Sequence, residues 1–435
     1  MNWLIKNKQI VLCTLLLHML FFLIKINLGD FYTADSKGYL YLAENIKDSF
    51  TFYSADLNHN IRFSEYTKRP PLYGIFVLLF SLALKSQVIL IFIQNILSIS
   101  SILLSYKLLD EHFIKSNRWF YFILVLGSMT PLIYSNLIMS EVLFQFLMVL
   151  LIFTFFKIIK NNSWKNLIFF QIVIILLYLT KPVFYLFVFP NLLLGIWYSK
   201  SIKNAFWSGL IPLVSLLLFM TWNQSRTGYF EFSSIQTINL VDYNFYFFHM
   251  NLYGEDSALA SRRNIDELAL HKESYKEQQK ERTRLAVNEI KKELPKYVIF
   301  HLKGCLRMFF DPGRYDVYKF FQFENSDQVG FLRYLNKGGI PGAIEFYKNQ
   351  PLLIVIVLPI ILLLNVIKFI GFVRFVFTTK FYANPQIWFP LLLICYIVGL
   401  SGPLGSTRFM LPILTFYCFF AMQGLLKNSK ALPSE

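Results

Sequence analysis

The sequence predicts an all-α, polytopic membrane protein. Hydrophobic residues make up 55% of its 435 residues and charged residues only 16%, whereas about a quarter of an ordinary soluble domain is charged. The deficit of charge falls in long apolar runs such as SEVLFQFLMVLLIFTFFKIIK and LLIVIVLPIILLLNVI. About 20 residues of this kind cross the roughly 30 Å hydrocarbon core of a bilayer as a helix, so the chain is expected to cross the membrane many times.

Apolar windows predict about ten transmembrane helices. A further apolar stretch, 70–84, has only about fifteen residues, fewer than a usual span. We expect it to lie at the outer surface as a juxtamembrane helix. The predicted spans cover 10–26, 87–109, 119–136, 140–159, 166–180, 182–199, 205–222, 351–370, 386–402 and 407–426.

The distribution of positive charge predicts the orientation of these spans. The formal net charge is +16, and Lys and Arg gather in short loops such as 157–165, as they do in cytoplasmic loops. Both termini are therefore expected inside, with 27–86 and 223–350 outside. This divides the chain into an N-terminal transmembrane module, 1–222, an extracytoplasmic loop domain, 223–350, and C-terminal transmembrane helices, 351–435.

Composition also bears on partners and cofactors. The basic residues form no recognisable nucleic-acid-binding motif, so we do not expect the chain to bind nucleic acid. The expected partner of the positive charge is the lipid bilayer. The four cysteines and six histidines show no metal-ligand spacing. No metal site and no definite cofactor are predicted, and a requirement for a divalent cation stays open.

The first predicted external loop combines an acid with two cations. Asp35 begins the segment DSKGYLYLAEN, whose apolar residues recur at helical spacing and predict an amphipathic helix. The loop ends in TKRPPLYGIF, where Lys68 and Arg69 precede two prolines that interrupt a helix. Asp35 is open to two interpretations, a helix cap or a functional carboxylate. The apolar residues of the predicted helix are Tyr39, Leu42, Ala43 and Ile46.

These motifs resemble a known family. Asp-Ser-x-x-Tyr-x-x-Leu-Ala, followed after a spacer by Arg-Pro-Pro-x-Tyr, resembles the first external loop of GT-C glycosyltransferases. That superfamily includes the dolichyl-phosphate-mannose protein mannosyltransferases and the aminoarabinose transferases of lipid A. MSEVLFQF places Glu141, YLTKPVFYL places Lys181 and GSTRFMLPIL places Arg408 at positions similar to the family's acidic and basic residues. The chain departs from many members in having Asp35-Ser36 instead of an Asp-Glu doublet, and Glu141 where others have Asp.

The resemblance implies a GT-C-like helical bundle and an inverting hexosyl- or pentosyltransferase in a bacterial inner membrane, with its active site on the extracytoplasmic face. The implied donor is a sugar on a polyprenyl phosphate, and the acceptor is an extracytoplasmic glycolipid, glycan or protein. Asp35 is the implied base, and Glu141 orients the acceptor or shares the proton. Arg69, Lys181 and Arg408 would bind the donor phosphate, and Tyr39, Lys68 and Tyr73 would support the site.

Other interpretations stay open at the level of sequence. Glu141 is also typical of a helix N-terminus, and Lys181 and Arg408 are also typical of cations that extend toward a membrane surface. Arg69 could pair only with lipid headgroups. Two other function classes handle similar lipids, namely a lipid-linked glycan flippase or transporter and an O-antigen polymerase or ligase. A transporter is expected to bury ionisable residues near the bilayer midplane.

Overall fold

The computed structural model describes residues 2–113, 116–198, 201–323, 339, 341–342, 344–346, 348, 350–379 and 384–426. Throughout these residues the regular elements are helices, as predicted. The first eleven are α1 Asn2–Lys6, α2 Lys8–Leu28, α3 Ser36–Ser49, α4 Pro71–Val77, α5 Gln87–Asp110, α6 Arg118–Leu126, α7 Thr130–Tyr134, α8 Glu141–Lys160, α9 Trp164–Thr180, α10 Val188–Tyr198 and α11 Ile202–Thr227.

The remaining helices fall into two groups, separated by residues 324–338, which lie outside the described residues, as do 427–435. Short 3₁₀ turns, among them Gly402–Leu404 and Thr407–Met410, precede the last helix. The first group is α12 Ile235–Ile238, α13 Tyr246–Tyr253, α14 Glu255–Leu270, α15 Tyr275–Lys292, α16 Leu294–Phe310 and α17 Arg314–Phe321. The second is α18 Leu352–Thr378, α19 Pro385–Ser401 and α20 Leu411–Leu425.

Seven helical segments of the described chain are long and apolar enough to cross a membrane, with mean hydropathy between 1.3 and 2.9. The chain is therefore an all-α, polytopic integral membrane protein, as the sequence predicted. The seven segments are Lys8–Leu28, Gln87–Asp110, Glu141–Lys160, Phe206–Thr227, Leu352–Thr378, Pro385–Leu404 and Thr407–Leu425.

The prediction of ten spans exceeds these seven. Two predicted spans correspond to shorter apolar helices, Trp164–Thr180 and Pro182–Gly195. The segment predicted to span at 119–136 reaches from one end of α2 to the other, since Arg118 binds Asn7 and the Ile138 amide donates to the Phe31 oxygen, and its crossing of the membrane stays a prediction. It is not one continuous helix, because the chain there forms α6 and α7, of nine and five residues. Between them Met129 adopts a left-handed backbone conformation with φ of 57°, which a continuous right-handed helix does not contain.

The segment 70–84 forms a helix too short to cross a bilayer. It begins at Pro71 as α4 and continues as a π-helix over Leu78–Leu82. Twelve residues at about 1.5 Å per residue extend only about 18 Å. Its location at the outer surface stays a prediction.

Helix α20 lies at the centre of the bundle, and every residue from Leu411 to Gly424 is buried. It packs directly on α18 through glycine, since a Cβ atom added at Gly424 would lie 1.9 Å from the backbone oxygen of Gly371. Small residues allow such close approach of membrane helices.

Gly424→Ala is expected to lower the thermal unfolding midpoint in detergent, because the added methyl group meets rigid backbone. Overpacking of this kind costs about 1–3 kcal/mol. Gly399→Ala in α19 is the matched control, since no heavy atom lies within 4 Å of its added Cβ. Equal midpoints for the two variants would show that α18 and α20 do not pack as described.

Helices α12–α17 and their connections include a second, smaller core. Its buried members come from the π-helix Asn239–Phe245, α13, α14 and α15, and are Val241, Phe245, Phe248, Ile265, Ala286 and Ile290. The chain turns at 271–274 and separates two helices, α14 and α15, that pack together. Ser274 caps α15 by accepting a hydrogen bond from the Glu277 amide.

Several contacts join this helical part to the bundle, and two of them bear on the site. The Thr67 hydroxyl and the Tyr275 hydroxyl both donate to Oε1 of Glu231, at 2.8 and 2.9 Å, which links the first loop to α15. Helix α16 packs on the turn Gly402–Leu404, and a Cβ at Gly304 would lie 2.1 Å from the Gly402 oxygen. These contacts position the loop segments that precede Arg69 and Arg408.

Candidate active site

Asp35 stands at the start of α3 but does not cap it. Its carboxylate makes no capping hydrogen bond, so the interpretation of Asp35 as a side-chain cap is wrong. The neighbouring Ser36 hydroxyl instead accepts from the Thr33 amide and donates to the Ile138 oxygen, each at 2.8 Å. This fixes the beginning of α3 against the segment that leads into α8 and leaves the Asp35 carboxylate free to bind elsewhere.

The Asp35 carboxylate bridges two arginines that are far apart in the sequence. Arg69 Nη2 donates to Oδ1 and Arg408 Nη2 donates to Oδ2, both at 2.6 Å. Arg69 lies just before Pro70 and Pro71, where α4 begins. Arg408 lies in the 3₁₀ turn Thr407–Met410 that precedes α20. The carboxylate therefore lies between two guanidinium groups, each directed at a different oxygen.

Glu141 extends this arrangement on the other side of Arg408. It is fully buried at the first position of α8, and its Oε1 accepts from Arg408 Nε and, at 2.9 Å, from Lys181 Nζ. Lys181 lies at the junction of α9 and the following 3₁₀ turn. We call these five residues the charge cluster, in the order Arg69, Asp35, Arg408, Glu141 and Lys181. With three cations and two carboxylates, its formal charge is +1.

The surroundings of Asp35 determine its acidity. Burial disfavours the charged carboxylate, but the charges and hydrogen bonds of Arg69 and Arg408 outweigh this effect and hold the pKa of Asp35 well below its usual range. Asp35 is therefore ionised at neutral pH and, with both arginines in place, a weak proton acceptor. A general base works best when its pKa lies near the working pH.

Two of the three predicted supporting residues lie beneath the cluster. The Arg69 guanidinium lies 4.9 Å from the ring centroid of Tyr39, and the Tyr39 hydroxyl is 3.0 Å from Ser140 Oγ. Tyr39 and Tyr73 meet edge to face with centroids 4.7 Å apart. The Tyr73 hydroxyl donates to Gln94 at 2.6 Å, so Tyr73 supports Tyr39 and does not reach the charges.

The structure does not bring Lys68 into the cluster. Its Nζ atom binds Oε1 of Glu65 at 2.9 Å, a buried carboxylate that also accepts from the Ser54 hydroxyl. Lys68 and Arg69 are adjacent, yet their side chains lead to different acids. Lys68 forms its ion pair within the first loop, so it does not contact the charge cluster, contrary to the prediction that it supports the site.

Two carboxylates that the sequence analysis did not select follow α16, Asp311 in the turn and Asp316 in the first turn of α17. Asp311 Oδ2 accepts from the Thr407 amide at 2.7 Å, which fixes the turn that carries Arg408. Asp316 is buried and accepts from the Tyr134 hydroxyl at 2.6 Å. Burial raises the pKa of Asp316 to about 7, so a carboxyl that exchanges protons near neutral pH lies within electrostatic range of Arg408. In the sequence, Asp311 and Asp316 are the two acidic residues of DPGRYD, a stretch that otherwise indicates only a turn.

The described residues contain no group of three or more His, Cys, Asp or Glu side chains that could hold a metal ion. The two carboxylates of the cluster bind Arg and Lys instead. The charge cluster thus places two guanidinium groups and one ammonium group around ionised acids, at one end of an apolar helical bundle.

Comparison with known proteins adds no assignment, since the chain matches no family model, curated protein or solved structure. Assignment to the GT-C superfamily therefore stays a proposal drawn from the motifs.

Proposed function

We propose that this chain is a glycosyltransferase of the GT-C type. It moves a sugar from a polyprenyl-phosphate donor to an extracytoplasmic glycolipid, glycan or protein, with its site on the extracytoplasmic face of a bacterial inner membrane. The observation that carries the proposal is the bridge in which Asp35 holds Arg69 and Arg408 at 2.6 Å each.

Charge clusters of this kind are poor devices for stability, because taking charges out of water costs as much as their attraction returns. They are common where a charged ligand is bound or a proton is moved. The cluster joins residues of five distant segments at one end of apolar helices, where a lipid-linked anion can enter from the bilayer. Two guanidinium forks suit phosphate, since each can donate two parallel hydrogen bonds.

The cluster also suggests how Asp35 becomes a base. When the donor phosphate binds Arg69 and Arg408, its negative charge replaces the Asp35 carboxylate as their partner. Asp35 then loses the two interactions that lower its pKa, and its affinity for a proton rises. Binding of the donor thus raises the proton affinity of Asp35 before the acceptor is deprotonated.

The proposed reaction is a single displacement. The acceptor oxygen gives its proton to Asp35 and attacks the anomeric carbon, and the bond from that carbon to the phosphate oxygen breaks. Polyprenyl phosphate leaves with the electron pair, stabilised by Arg408, Arg69 and Lys181. Attack from the opposite face inverts the anomeric configuration. Glu141 keeps Arg408 and Lys181 together, and its proposed role is to orient the acceptor or to share the proton.

The transporter alternative requires ionisable groups that line a path through the membrane. Two lysines are buried within the apolar helices, but each has a protein partner. Lys25 Nζ donates to the Phe320 oxygen at 2.8 Å, and Lys368 Nζ donates to the Ser128 hydroxyl at 2.7 Å. Both connect helices of the bundle, so the contacts favour a structural role for these charges.

Transfer is tested directly with purified protein in lipid nanodiscs. Undecaprenyl phosphate carrying glucose, mannose, N-acetylglucosamine or 4-amino-4-deoxyarabinose is incubated with membrane extract as acceptor, and released undecaprenyl phosphate is measured by mass spectrometry. We expect release from at least one donor. Movement of intact donor across proteoliposomes without release would identify a flippase instead. Mass spectrometry of surface glycans from cells with and without the chain then identifies the acceptor.

The predicted orientation has its own test. Cysteines are introduced one at a time at Lys165 and Lys276, both exposed, after replacement of the four native cysteines. An impermeant maleimide added to intact cells is expected to label position 276 and not position 165. Equal labelling of both positions would contradict the proposed topology.

A further inference from the structure

The buried side chain of Gln145, beside the charge cluster, has no hydrogen-bond partner among the residues that the structure describes. Gln145 lies in α8, one helical turn after Glu141, and is fully buried. Neither its amide nitrogen nor its amide oxygen forms a hydrogen bond to another residue. A buried polar group left without a hydrogen bond destabilises the fold, so a glutamine is an unfavourable residue at this position of an apolar helix unless it has another role.

Gln145 and Glu141 share one face of the helix. Residues four apart lie above one another on an α-helix, and their side chains tilt toward its N-terminus. Oε2 of Glu141 is likewise buried without a partner, while Oε1 binds both Arg408 and Lys181. Within the described chain, three buried polar atoms without hydrogen-bond partners therefore occur on the face of α8 that carries Glu141, the residue to which the two cations bind.

Two other fully buried glutamines of the bundle, Gln94 and Gln171, form hydrogen bonds. Gln94, also fully buried, accepts from Tyr73 and donates to the Leu137 oxygen at 2.8 Å. Gln171 is fully buried too, and accepts from Asn191 at 2.8 Å. The lack of partners at Gln145 is thus not a general property of glutamine in this bundle.

The chemistry of these atoms suits hydroxyl groups. An amide both donates and accepts, and a carboxylate oxygen accepts. Aromatic rings lie alongside, since Lys181 Nζ is 5.9 Å from the ring centroid of Phe144 and 5.8 Å from that of Phe409. A few fixed polar groups among aromatic side chains are typical of small-molecule sites, and this set matches a sugar, which has hydroxyl edges and apolar faces.

We propose that Gln145, together with Oε2 of Glu141, binds hydroxyl groups of the donor sugar and determines which sugar is accepted. This inference rests on the proposed function. Arg408 and Lys181 cover Glu141, so the sugar reaches Gln145 as the donor phosphate draws Arg408 toward itself. A site built to bind hydroxyl groups rejects analogues that lack them much more strongly than an apolar pocket does.

The test compares the affinity of full-length protein in nanodiscs for bare undecaprenyl phosphate with its affinity for the same lipid carrying each of the four sugars named above. We expect the wild-type chain to bind at least one sugar-bearing lipid more tightly than the bare lipid. Gln145→Met, of similar size, should reduce that ratio at least tenfold. Gln171→Met is the matched control and should keep the wild-type ratio. Gln145→Asn, which keeps an amide on a shorter side chain, should also reduce it.

The outcomes separate this inference from the proposed function. If wild-type protein binds all five lipids equally, phosphate binding stands and sugar recognition by Gln145 is refuted. An unchanged ratio in Gln145→Met and Gln145→Asn, with a higher unfolding midpoint for the methionine variant, would make Gln145 an unpaired structural residue and refute it too. If no lipid binds, the proposed function fails together with the inference.

Discussion

Asp35→Asn is expected to lower the rate of sugar transfer by about 10²–10⁴, the usual effect of losing a general base. The amide keeps the size of the side chain but cannot take the acceptor's proton. Because the carboxylate makes no capping bond, the helix α3 should form as before. The rate is measured as release of undecaprenyl phosphate by purified protein at saturating donor.

Asp56→Asn is the control for this prediction. Asp56 lies in the same loop, where its carboxylate binds Asn58 and His59 away from the cluster, so transfer should be unaffected. Transfer at the wild-type rate by a folded Asp35→Asn protein would show that Asp35 is only an anchor for the two arginines. Asp316, with its pKa of about 7, would then be the next carboxyl to test as the base.

Replacing Arg408 should have the largest effect on donor binding. Its Nη2 and Nε atoms bind Asp35 and Glu141 at the same time, and hydrogen bonds to charged groups contribute about 1.5–3 kcal/mol each. Arg408→Ala is expected to weaken binding of undecaprenyl phosphate by about 10²-fold. Arg408→Lys should recover only part of this, because one ammonium group does not reproduce the planar fork.

The Arg408 variants also need a check of folding, because they leave Glu141 fully buried with Lys181 as its remaining ion-pair partner. Breaking a buried pair costs about 3–5 kcal/mol, so unfolding midpoints are recorded together with affinities. Arg62→Lys, at an exposed arginine of the first loop, serves as the control. A folded Arg408→Ala protein that binds the lipid phosphate as tightly as wild type would remove Arg408 from the donor site.

Local sequence patterns predicted local structure well. The spacing of Tyr39, Leu42, Ala43 and Ile46 predicted an amphipathic helix, and these residues form the buried face of α3. Hydropathy likewise located the seven long apolar helices. It did not predict the break in the helix at 119–136, because a hydropathy window averages composition and does not register the left-handed backbone at Met129.

The candidate site shows the opposite limit. Motifs indicated which charged residues to consider, but the bonds of Asp35 reach 34 and 373 residues along the chain, and no local pattern predicts such contacts. The sequence also could not show that the adjacent residues Lys68 and Arg69 bind different acids, since their partners depend on how the loop folds. Gln145 carried no signal, because a single polar residue in an apolar run is informative only when its surroundings are known.

The most direct test of the central claim is the affinity of undecaprenyl phosphate for wild-type protein and for Asp35→Asn. If the Asp35 carboxylate holds the two arginines that later bind the donor phosphate, removing its charge frees them. The variant should then bind the lipid phosphate more tightly, by about tenfold or more, which corresponds to about 1.4 kcal/mol, although it transfers sugar slowly. Equal or weaker binding by a folded Asp35→Asn protein would contradict the claim that Arg69 and Arg408 form the donor-phosphate site.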